Sequence, residues 1–225
     1  MEEEITEKII LLGDISTGKT SFIIRFTTNE FETKTEPTIG CAFSKHSITL
    51  QNQPIVLHIY DTSGDERFRS LTQMYFRGTK CVLLMIDVGN RDSLHSIDYW
   101  IGLSHSYISP TIPIILVATK SDLSSWQMTE NDIKSIAKKH KLSYFITSSL
   151  LNKNVTETFT LAAQLAFRYD QQNDSSRSIQ VLSEEDQKKL KNEFTRETIS
   201  PNILLHSQYE SSQPIQQKKS FFSFC

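Results

Sequence analysis

The run GDISTGKT at residues 13–20 constrains the fold of this chain more than any other segment. It matches the pattern G-x-x-x-x-G-K-[ST], in which glycines let backbone N–H groups turn inward around phosphate oxygens. The apolar run KIILLG leads into it, and an apolar-periodic stretch typical of a helix follows it. The N-terminus of such a helix offers positive potential to a bound phosphate. The segment therefore predicts a phosphate-binding P-loop between a strand and a helix.

Two side chains of this loop carry specific chemistry. Lys19 adds a point charge beside the phosphates, and the hydroxyl of Thr20 is suited to bind Mg²⁺. An accidental Gly-Lys-Thr turn is the alternative, but the flanking strand and helix supply the context that the motif requires. The predicted nucleotide contacts of the loop are Ile15, Ser16, Thr17, Gly18, Lys19, Thr20 and Ser21.

Short β-branched apolar runs alternate with amphipathic stretches between residues 8 and 169, which is typical of βα units around a mostly parallel sheet. The runs ITL and PIVLHIY are separated only by residues 51–53, so we expect an antiparallel hairpin there and a mixed sheet overall. We predict an α/β fold of the P-loop NTPase type, three-layer α/β/α, with a six-stranded sheet and about five helices. The predicted strands lie near 7–12, 42–50, 54–60, 80–87, 112–118 and 143–147, and the predicted helices at 18–27, 68–76, 91–105, 129–139 and 154–169.

The composition excludes several classes of protein. The formal net charge is −2, so the chain lacks the broad positive field that nucleic-acid binding needs. The three cysteines are far apart and form no Cys-x-x-Cys pair, which argues against a zinc site or a disulfide framework. No apolar run approaches the roughly 20 residues that cross a bilayer, and the acidic N-terminus lacks a signal-peptide core. We expect a cytoplasmic monomer whose contact with a membrane comes from an attachment.

The composition changes at Asp170, where polar stretches begin that bury too little apolar surface to offset the entropy of ordering. We therefore expect one domain at residues 1–169 and a flexible tail at 170–225. Within the tail, the capping-box spacing of Ser183 and Asp186 predicts a short charged helix at 183–198, which is marginal alone in water.

Two polar positions fall where a phosphate-bound metal ion needs ligands. Asp61 ends an apolar strand in the run DTSG, and ligands of α/β sheets bind at the carboxyl ends of strands. Its carboxylate is suited to hold Mg²⁺ through water, although a solvated turn aspartate is the alternative. Thr38 follows the first helix in a polar loop; usually a turn former, it is expected here to close over Mg²⁺ and the γ-phosphate. We predict metal ligands Thr20, Thr38 and Asp61, and a backbone N–H from Gly64 toward the terminal phosphate.

The run TKSD at residues 119–122 predicts the choice of base. Guanine differs from adenine in an N1–H and N2–H₂ edge, which one carboxylate accepts as two hydrogen bonds. Asp122 is placed to read that edge, while the stem of Lys120 covers the face of the ring. Thr119, Lys120 and Asp122 are therefore predicted base contacts; an enzyme that uses ATP is the more distant alternative.

Residues 8–169 resemble a small GTPase of the Ras superfamily, with the P-loop, DTSG and TKSD in the right order. The runs IGCAF, RFRSL, YFRGT and LMIDV resemble the segments that mark Rab proteins. The resemblance implies a GTP/GDP switch with Mg²⁺ in vesicle and membrane trafficking. It also implies effector, exchange-factor, activating and escort or GDI-type protein partners.

The resemblance further implies roles for two groups of residues. Phe31 is expected to stack edge-on against guanine, and Thr147, Ser148 and Ser149 to place backbone N–H groups at its O6 atom. Effectors are expected to read an aromatic surface formed by Phe43, Tyr60 and Tyr75, for each of which ordinary core packing is the alternative.

Three positions depart from the pattern of the family. Asp65 stands in place of the glutamine that orients the attacking water; it cannot donate a hydrogen bond and brings negative charge toward the γ-phosphate. Ile15 replaces a small residue and crowds both the water and an arginine finger, while Leu150 replaces a lysine, which predicts weaker nucleotide binding. We predict slow GTP hydrolysis with Asp65, Lys19 and Gly64 as catalytic residues, unless an activating protein supplies groups in trans. The alternative is a hydrolysis-deficient interaction module that stays loaded with GTP.

The chain ends in the run KKSFFSFC, so Cys225 is the predicted lipidation site. Rab tails usually carry two prenylatable cysteines, but here Ser223 and Phe224 occupy the place of the second one. A single lipid gives only reversible membrane binding. We expect a prenylated protein that attaches reversibly to the cytosolic face of intracellular membranes; an unmodified cysteine is the alternative.

Overall fold

The computed structural model describes residues 4–33, 36–50, 52–65, 67 and 73–173. Within these residues strands and helices alternate along the chain. The strands are β1 (Ile5–Leu12), β2 (Cys41–Leu50), β3 (Gln53–Thr62), β4 (Cys81–Asp87), β5 (Ile114–Thr119) and β6 (Ser143–Ile146), and the helices are α1 (Lys19–Thr28), α2 (Asp92–His95), α3 (Ile97–Tyr107), α4 (Glu130–His140) and α5 (Val155–Asn173).

The described strands form one mixed sheet in the order β2-β3-β1-β4-β5-β6. Strands β1, β3, β4, β5 and β6 run parallel to their neighbours in this group, whereas β2 pairs antiparallel with β3, from Cys41 opposite Thr62 to Leu50 opposite Gln53. The predicted hairpin and the predicted α/β fold class are confirmed.

Helices cover both faces of the sheet because side chains alternate between the faces along each strand. On one face, Ile10 and Leu12 of β1 belong to a buried cluster with Trp100 of α3 and Ile133 of α4. On the other face, α1 and α5 contact one another, and both contact the central strands. A capping box starts α4, since the Thr129 hydroxyl accepts from the backbone N–H of Asp132 and the Asp132 carboxylate accepts from the backbone N–H of Thr129.

The structure corrects one predicted helix. The segment predicted as a single helix at 91–105 is two helices, α2 and α3, separated at Ser96. The Ser96 hydroxyl donates to the Asp14 carboxylate at 2.6 Å and to the Ser93 carbonyl at 3.1 Å. A serine that bonds to groups outside the regular helical ladder offers the backbone an alternative to a continuous helix.

Two other predictions fall partly outside the described residues. Residues 68–72 of the helix predicted at 68–76 are not described, and Gln73–Tyr75 form a 3₁₀-helix. Helix α5 extends beyond its predicted end at 169, to Asn173. The rest of the predicted tail lies outside the described residues, including its helix at 183–198 and Cys225. None of the described helices combines the length and apolar character needed to cross a bilayer.

The parallel strands place the candidate site. Because β1, β3, β4, β5 and β6 point the same way, their carboxyl ends meet at one edge of the sheet. The P-loop, Asp61, and the segments at 119–122 and 147–149 all begin at those ends or directly follow them. This edge is where open α/β sheets bind ligands.

Candidate functional site

The P-loop holds its lysine by the backbone. The Lys19 Nζ atom donates to the carbonyl oxygens of Gly13 and Asp14, both at 2.8 Å, and lies 3.3 Å from Thr17 Oγ1. Burial lowers the pKa of Lys19 to about 8, against the opposing charges of Asp61 and Asp14. A buried ammonium in a loop of this kind is suited to bind phosphate oxygens.

Two glycines allow the backbone segments of the site to approach each other closely. Gly13 has φ +138°, and a Cβ atom there lies 2.3 Å from the Met85 carbonyl oxygen. A Cβ atom on Gly64 lies 2.3 Å from the backbone nitrogen of Ile15. Any larger residue at either position therefore collides with backbone atoms, which displace far less readily than a flexible side chain.

The three predicted metal ligands meet at one point. Thr20 Oγ1 donates to Asp61 Oδ2 at 2.7 Å, Thr38 Oγ1 donates to the same atom at 3.1 Å, and the two hydroxyl oxygens lie 2.9 Å apart. They come from the start of α1, the loop before β2 and the end of β3. A set of one carboxylate and two hydroxyls consists of the hard oxygen ligands that Mg²⁺ prefers.

One oxygen of this cluster tests the fit to a metal. Asp61 is only 3% exposed, and among the described residues its Oδ1 atom has no hydrogen-bond partner. Burial raises the pKa of Asp61, against the Thr20 hydrogen bond and the charge of Lys19. A buried carboxylate oxygen without a partner is costly, so the site is suited to a cation or a metal-bound water at that atom. The residues fit Mg²⁺.

The site opens into a cleft of about 290 Å³. Ten of the predicted site residues line it, whereas Thr17, Asp61 and Thr119 are buried behind its walls. Its lining consists of Ile15, Ser16, Gly18, Lys19, Thr20, Ser21, Phe31, Glu32, Thr33, Glu36, Pro37, Thr38, Thr62, Ser63, Gly64 and Lys120.

The two loops predicted to contact the base are joined by hydrogen bonds; Lys120 lines the cleft, whereas Asp122 and residues 147–149 are not among its lining residues. The Ser148 hydroxyl donates to Asp122 Oδ1 at 2.5 Å, and the backbone N–H of Ser121 donates to the Thr147 carbonyl at 3.0 Å. Thr119 Oγ1 donates at 2.8 Å to the Thr17 carbonyl, which joins these loops to the P-loop. The segments at 119–122 and 147–149 therefore form one unit with the phosphate-binding loop.

Comparison with known proteins decides the family. The family model described as the Ras family matches residues 8–168. The chain belongs to the Ras family. It is Rab-like within that family: it is 36% identical over 153 residues to Ras-related protein RABA6b of Arabidopsis thaliana, covering 68% of this chain and 67% of the relative. The chain is 38% identical over 153 residues to Ras-related protein Rab-4 of Dictyostelium discoideum, covering 68% of this chain and 75% of the relative. It is 35% identical over 159 residues to Ras-related protein Rab-11A of the same organism, covering 70% of this chain and 74% of the relative.

Arg25 on α1 is a candidate site residue of this Rab-like GTPase that was not predicted from the sequence. Its Nε atom donates to the Ser149 carbonyl at 2.6 Å, its Nη2 atom to the Leu150 carbonyl at 3.3 Å, and its guanidinium lies 5.9 Å from the centre of the Phe31 ring. Arg25 thus links the predicted O6-binding loop to the predicted ring-stacking residue. The one signal in the sequence is a basic residue within the apolar run FIIRF of α1, which also fits an ordinary surface arginine.

Asp14 was also missed, although it lies inside the P-loop. Its Oδ1 atom accepts from Trp100 Nε1 at 2.8 Å and its Oδ2 atom from Ser96 Oγ at 2.6 Å. Its backbone carbonyl accepts from Lys19, so one residue joins the P-loop lysine to α3. No local pattern reveals this contact, because the partners are 82 and 86 residues away.

Asp65, predicted to stand in place of a water-orienting glutamine, forms hydrogen bonds with Arg67. Its Oδ2 atom accepts from Nη2 of Arg67 at 2.6 Å and from Nε at 3.0 Å, while Oδ1 accepts from the backbone N–H of Arg67 at 2.9 Å. The hydrogen bonds and charge of Asp65 raise the pKa of Arg67. The prediction from the sequence considered the negative charge of Asp65 but not its ion pair with Arg67.

The three aromatic residues of the predicted effector surface lie side by side. The ring centres of Phe43 and Tyr60 are 5.3 Å apart, and those of Tyr60 and Tyr75 are 6.2 Å apart. Phe43 is exposed, whereas Tyr60 and Tyr75 are partly buried and also pack against the cluster of α3 and α4. Two apolar side chains close in sequence to Phe43 and Tyr75, Ile39 and Met74, are also exposed. The alternative of core packing therefore applies in part to the two tyrosines, and their role as an effector surface remains a prediction.

Proposed function

We propose that this Rab-like chain is a GTP-binding switch of vesicle and membrane trafficking that cycles between GDP and GTP and hydrolyses GTP slowly. The observation that carries the proposal is that the hydroxyls of Thr20 and Thr38 both bond to one oxygen of the buried Asp61 carboxylate. The other oxygen of this carboxylate has no hydrogen-bond partner among the described residues. Such a cluster beside a buried P-loop lysine is suited to bind a metal-bound polyphosphate.

In this proposal Thr20, Thr38 and Asp61 hold Mg²⁺, which when bound neutralises charge on the phosphates. Thr38 and Gly64 belong to the loops before β2 and after β3, and both line the cleft. A ligand that contacts both loops favours the conformation in which they are close together, and its loss releases them. This dependence of two surface loops on one phosphate group is the basis of the switch.

Guanine selection rests on Asp122. In the described structure, Ser148 holds one oxygen of its carboxylate, which fixes the orientation of the acid before a base arrives. A carboxylate in that position accepts from the N1–H and N2–H₂ groups of guanine, and adenine has no matching pair of donors. Phe31, which lines the cleft, is the proposed ring contact.

Slow hydrolysis is supported by two side chains. Asp65 has no donor to orient a water, and its carboxylate is already bonded to Arg67. Ile15 is exposed and lines the cleft, where a branched side chain restricts access of water. Asp65 is also the observation that favours the second candidate, a GTP-loaded interaction module whose turnover is too slow to matter.

Two measurements separate these candidates. We would extract nucleotide from the purified full chain, identify it by chromatography, and follow single-turnover conversion of bound GTP in the wild type and in the Asp65→Gln, Ile15→Ser double variant. Detectable conversion in the wild type, accelerated in the variant, supports the slow switch; no conversion over hours supports the interaction module. Hydrolysis by the wild type at the rate of the double variant refutes the proposed roles of Asp65 and Ile15. ATP that displaces bound GDP refutes guanine selection by Asp122.

The proposal includes effector proteins at the surface of Phe43, Tyr60 and Tyr75, the regulators usual for Rab proteins, and a prenyl anchor at Cys225. The contacts among these three aromatic rings and the exposure of Phe43 support the first of these. Detergent partitioning of the wild type against Cys225→Ser, expressed in eukaryotic cells, tests the anchor. Equal partitioning of the two proteins refutes it.

A further inference from the structure

Lys120 of the TKSD run lines the cleft, whereas the acid that it binds does not. Its Nζ atom donates to Asp87 Oδ2 at 2.7 Å, and the two side chains form an ion pair. The side chain of Lys120 is 37% exposed and that of Asp87 is 14% exposed. Because Asp87 is largely withdrawn from solvent and is not among the residues that line the cleft, it affects a ligand there through Lys120.

The carboxylate of Asp87 is fixed independently of the lysine. Asp87 ends β4, opposite Thr119 at the end of β5. Its Oδ1 atom accepts the backbone N–H of Gly89 at 2.8 Å, and its own backbone N–H donates to Ser93 Oγ at 3.1 Å. Aspartate side chains close turns in this way with the chain just ahead. One oxygen therefore holds the turn after β4, and the other accepts from the Lys120 ammonium.

The backbone of Lys120 is held against the same turn. Its φ is +60°, a left-handed conformation that residues with a side chain rarely adopt. Its carbonyl accepts the Leu123 N–H at 3.0 Å, and the Val88 N–H donates to the Thr119 carbonyl at 3.2 Å. A Cβ atom on Gly89 would lie 2.6 Å from Leu123 Cδ1, so the two turns are in contact. With both backbones fixed, the direction of the Lys120 stem depends on where its ammonium group is bonded.

A lysine side chain has a long flexible stem, and ordering it costs conformational entropy. A lysine without a fixed partner loses that freedom when a ligand binds against its stem. A lysine whose ammonium is already bonded has lost much of it beforehand, which favours binding of the ligand. An ion pair between two mobile surface side chains gains little. Here the turn fixes the acid, so only the lysine loses freedom when the pair forms.

We propose that Asp87 is a positioning residue for nucleotide binding: it holds the Lys120 ammonium, so that the Lys120 stem stays along the face of the base. The inference rests on the proposed function and deepens it, because it assigns the residue that orients the predicted ring contact of Lys120. Asp87 contributes no group to the nucleotide itself. When its charge is removed, the Lys120 backbone keeps its place, but the stem no longer has one preferred direction.

The first test is the rate at which GDP dissociates from the full chain, measured by stopped-flow displacement in the wild type and in Asp87→Asn. The introduced amide oxygen still accepts the Gly89 N–H, whereas the amide NH₂ group faces the Lys120 ammonium, and two donors do not bond. We expect dissociation to be roughly three- to tenfold faster, the size of one net hydrogen bond. Asp87→Ser keeps an acceptor for Gly89 and lacks one that reaches Lys120. It is expected to show the same acceleration, which keeps the inference testable if Asp87→Asn does not fold.

Three comparisons separate positioning from a structural role. Lys120→Met removes the ammonium but keeps an unbranched stem, so Asp87→Asn is expected not to accelerate dissociation further in that background. Inorganic pyrophosphate has no base, so its affinity, measured by competition with fluorescent GDP, is expected to be the same in the wild type and in Asp87→Asn. Asp98→Asn makes the same substitution in another pair, with Lys139 at 2.9 Å, outside the cleft lining, and is expected to keep the wild-type rate.

Four outcomes overturn the inference: unchanged or slower GDP dissociation in a folded Asp87 variant, an equal acceleration in the Lys120→Met background, a parallel fall in the affinities for GDP and pyrophosphate, or an equal acceleration in Asp98→Asn. Failure of the proposed function looks different. In that case the wild type takes up no guanosine phosphate and no dissociation rate exists. If only the inference is wrong, the wild type binds GDP and the cycle shows no coupling between positions 87 and 120.

Discussion

The phosphate end of the cleft and the turn after β3 use their polar groups differently. At the phosphate end, side chains from distant segments converge: Thr20, Thr38 and Asp61 share hydrogen bonds, and Lys19 lies beside them. In the turn after β3, Asp65 bonds with Arg67, a near neighbour in sequence. The groups of the first region are held by several elements at once, whereas the contact between Asp65 and Arg67 lies within one short segment.

We expect the first region to determine the affinity for nucleotide and the second region to affect the rate of hydrolysis. Buried residues at the ends of parallel strands are restrained by the sheet and by each other, so a change there removes several bonds together. In the turn after β3, by contrast, the Asp65 carboxylate accepts the backbone N–H of Arg67, two residues ahead, as aspartates in turns often do. The four predictions that follow test whether binding and hydrolysis separate along this line.

The largest effect is expected from Lys19→Ala. The buried ammonium is held by the carbonyls of Gly13 and Asp14, and its loss leaves phosphate charge without a cation at the centre of the P-loop. We expect the affinity for GDP to fall by about 10²- to 10³-fold, measured by titration with a fluorescent GDP in the presence of Mg²⁺. Lys139→Ala is the matched control; equal affinities in the two variants would contradict the role of Lys19.

The next effect concerns the base. Asp122→Asn replaces one acceptor oxygen with a donor, which clashes with the N2–H₂ group of guanine and suits the C2 carbonyl of xanthine. We expect the affinity for GDP to fall by about 10²-fold and the affinity for xanthosine diphosphate to rise. Competition titrations measure both. A parallel loss for the two nucleotides would show that Asp122 supports the fold and does not read the base.

Hydrolysis is expected to respond without a comparable change in binding. The Asp65→Gln, Ile15→Ser double variant supplies a donor at the position predicted for the water-orienting glutamine and removes a branched side chain from the cleft. We expect single-turnover hydrolysis to rise on the order of tenfold while the affinity for GDP changes less than about twofold. A rate equal to the wild type would show that neither residue limits turnover.

The smallest effect tests the contact between α3 and the P-loop. Trp100→Phe keeps an aromatic side chain in the core but removes the Nε1–H that donates to Asp14 at 2.8 Å. The loss of one hydrogen bond to a carboxylate predicts that GDP dissociates about three- to tenfold faster. Stopped-flow displacement measures the rate, and Tyr99→Phe on the same helix is the control. Equal dissociation from wild type and Trp100→Phe would mean that the contact does not position the loop.

The sequence was sufficient for the parts of the site that follow from sheet geometry. Asp61 was predicted beside Thr20 because the carboxyl ends of parallel strands meet at one edge, and the structure brings the two side chains together. The fold class followed from the same alternation of strands and helices. The metal-binding and base-reading roles of these residues remain predictions.

The rest depended on contacts that no local pattern encodes. At the break between α2 and α3, Ser96 bonds to Asp14, which is 82 residues away. Arg25 reaches Ser149 across 124 residues. Arg67 is close to Asp65 in sequence, but a run of alternating charges predicts a solvated turn as readily as an ion pair. Such contacts need the folded chain because tertiary packing selects one of several rotamers and partners.

The most direct test of the account is uptake of guanosine phosphates by the nucleotide-free full chain. Titration with GDP and with a non-hydrolysable GTP analogue, with and without Mg²⁺, measures whether Lys19, Thr20, Thr38 and Asp61 form a nucleotide site. The account predicts saturable binding of both at micromolar concentrations or below, weaker without Mg²⁺, and no displacement by excess ATP. A chain that is folded by circular dichroism and takes up neither nucleotide at those concentrations would contradict it.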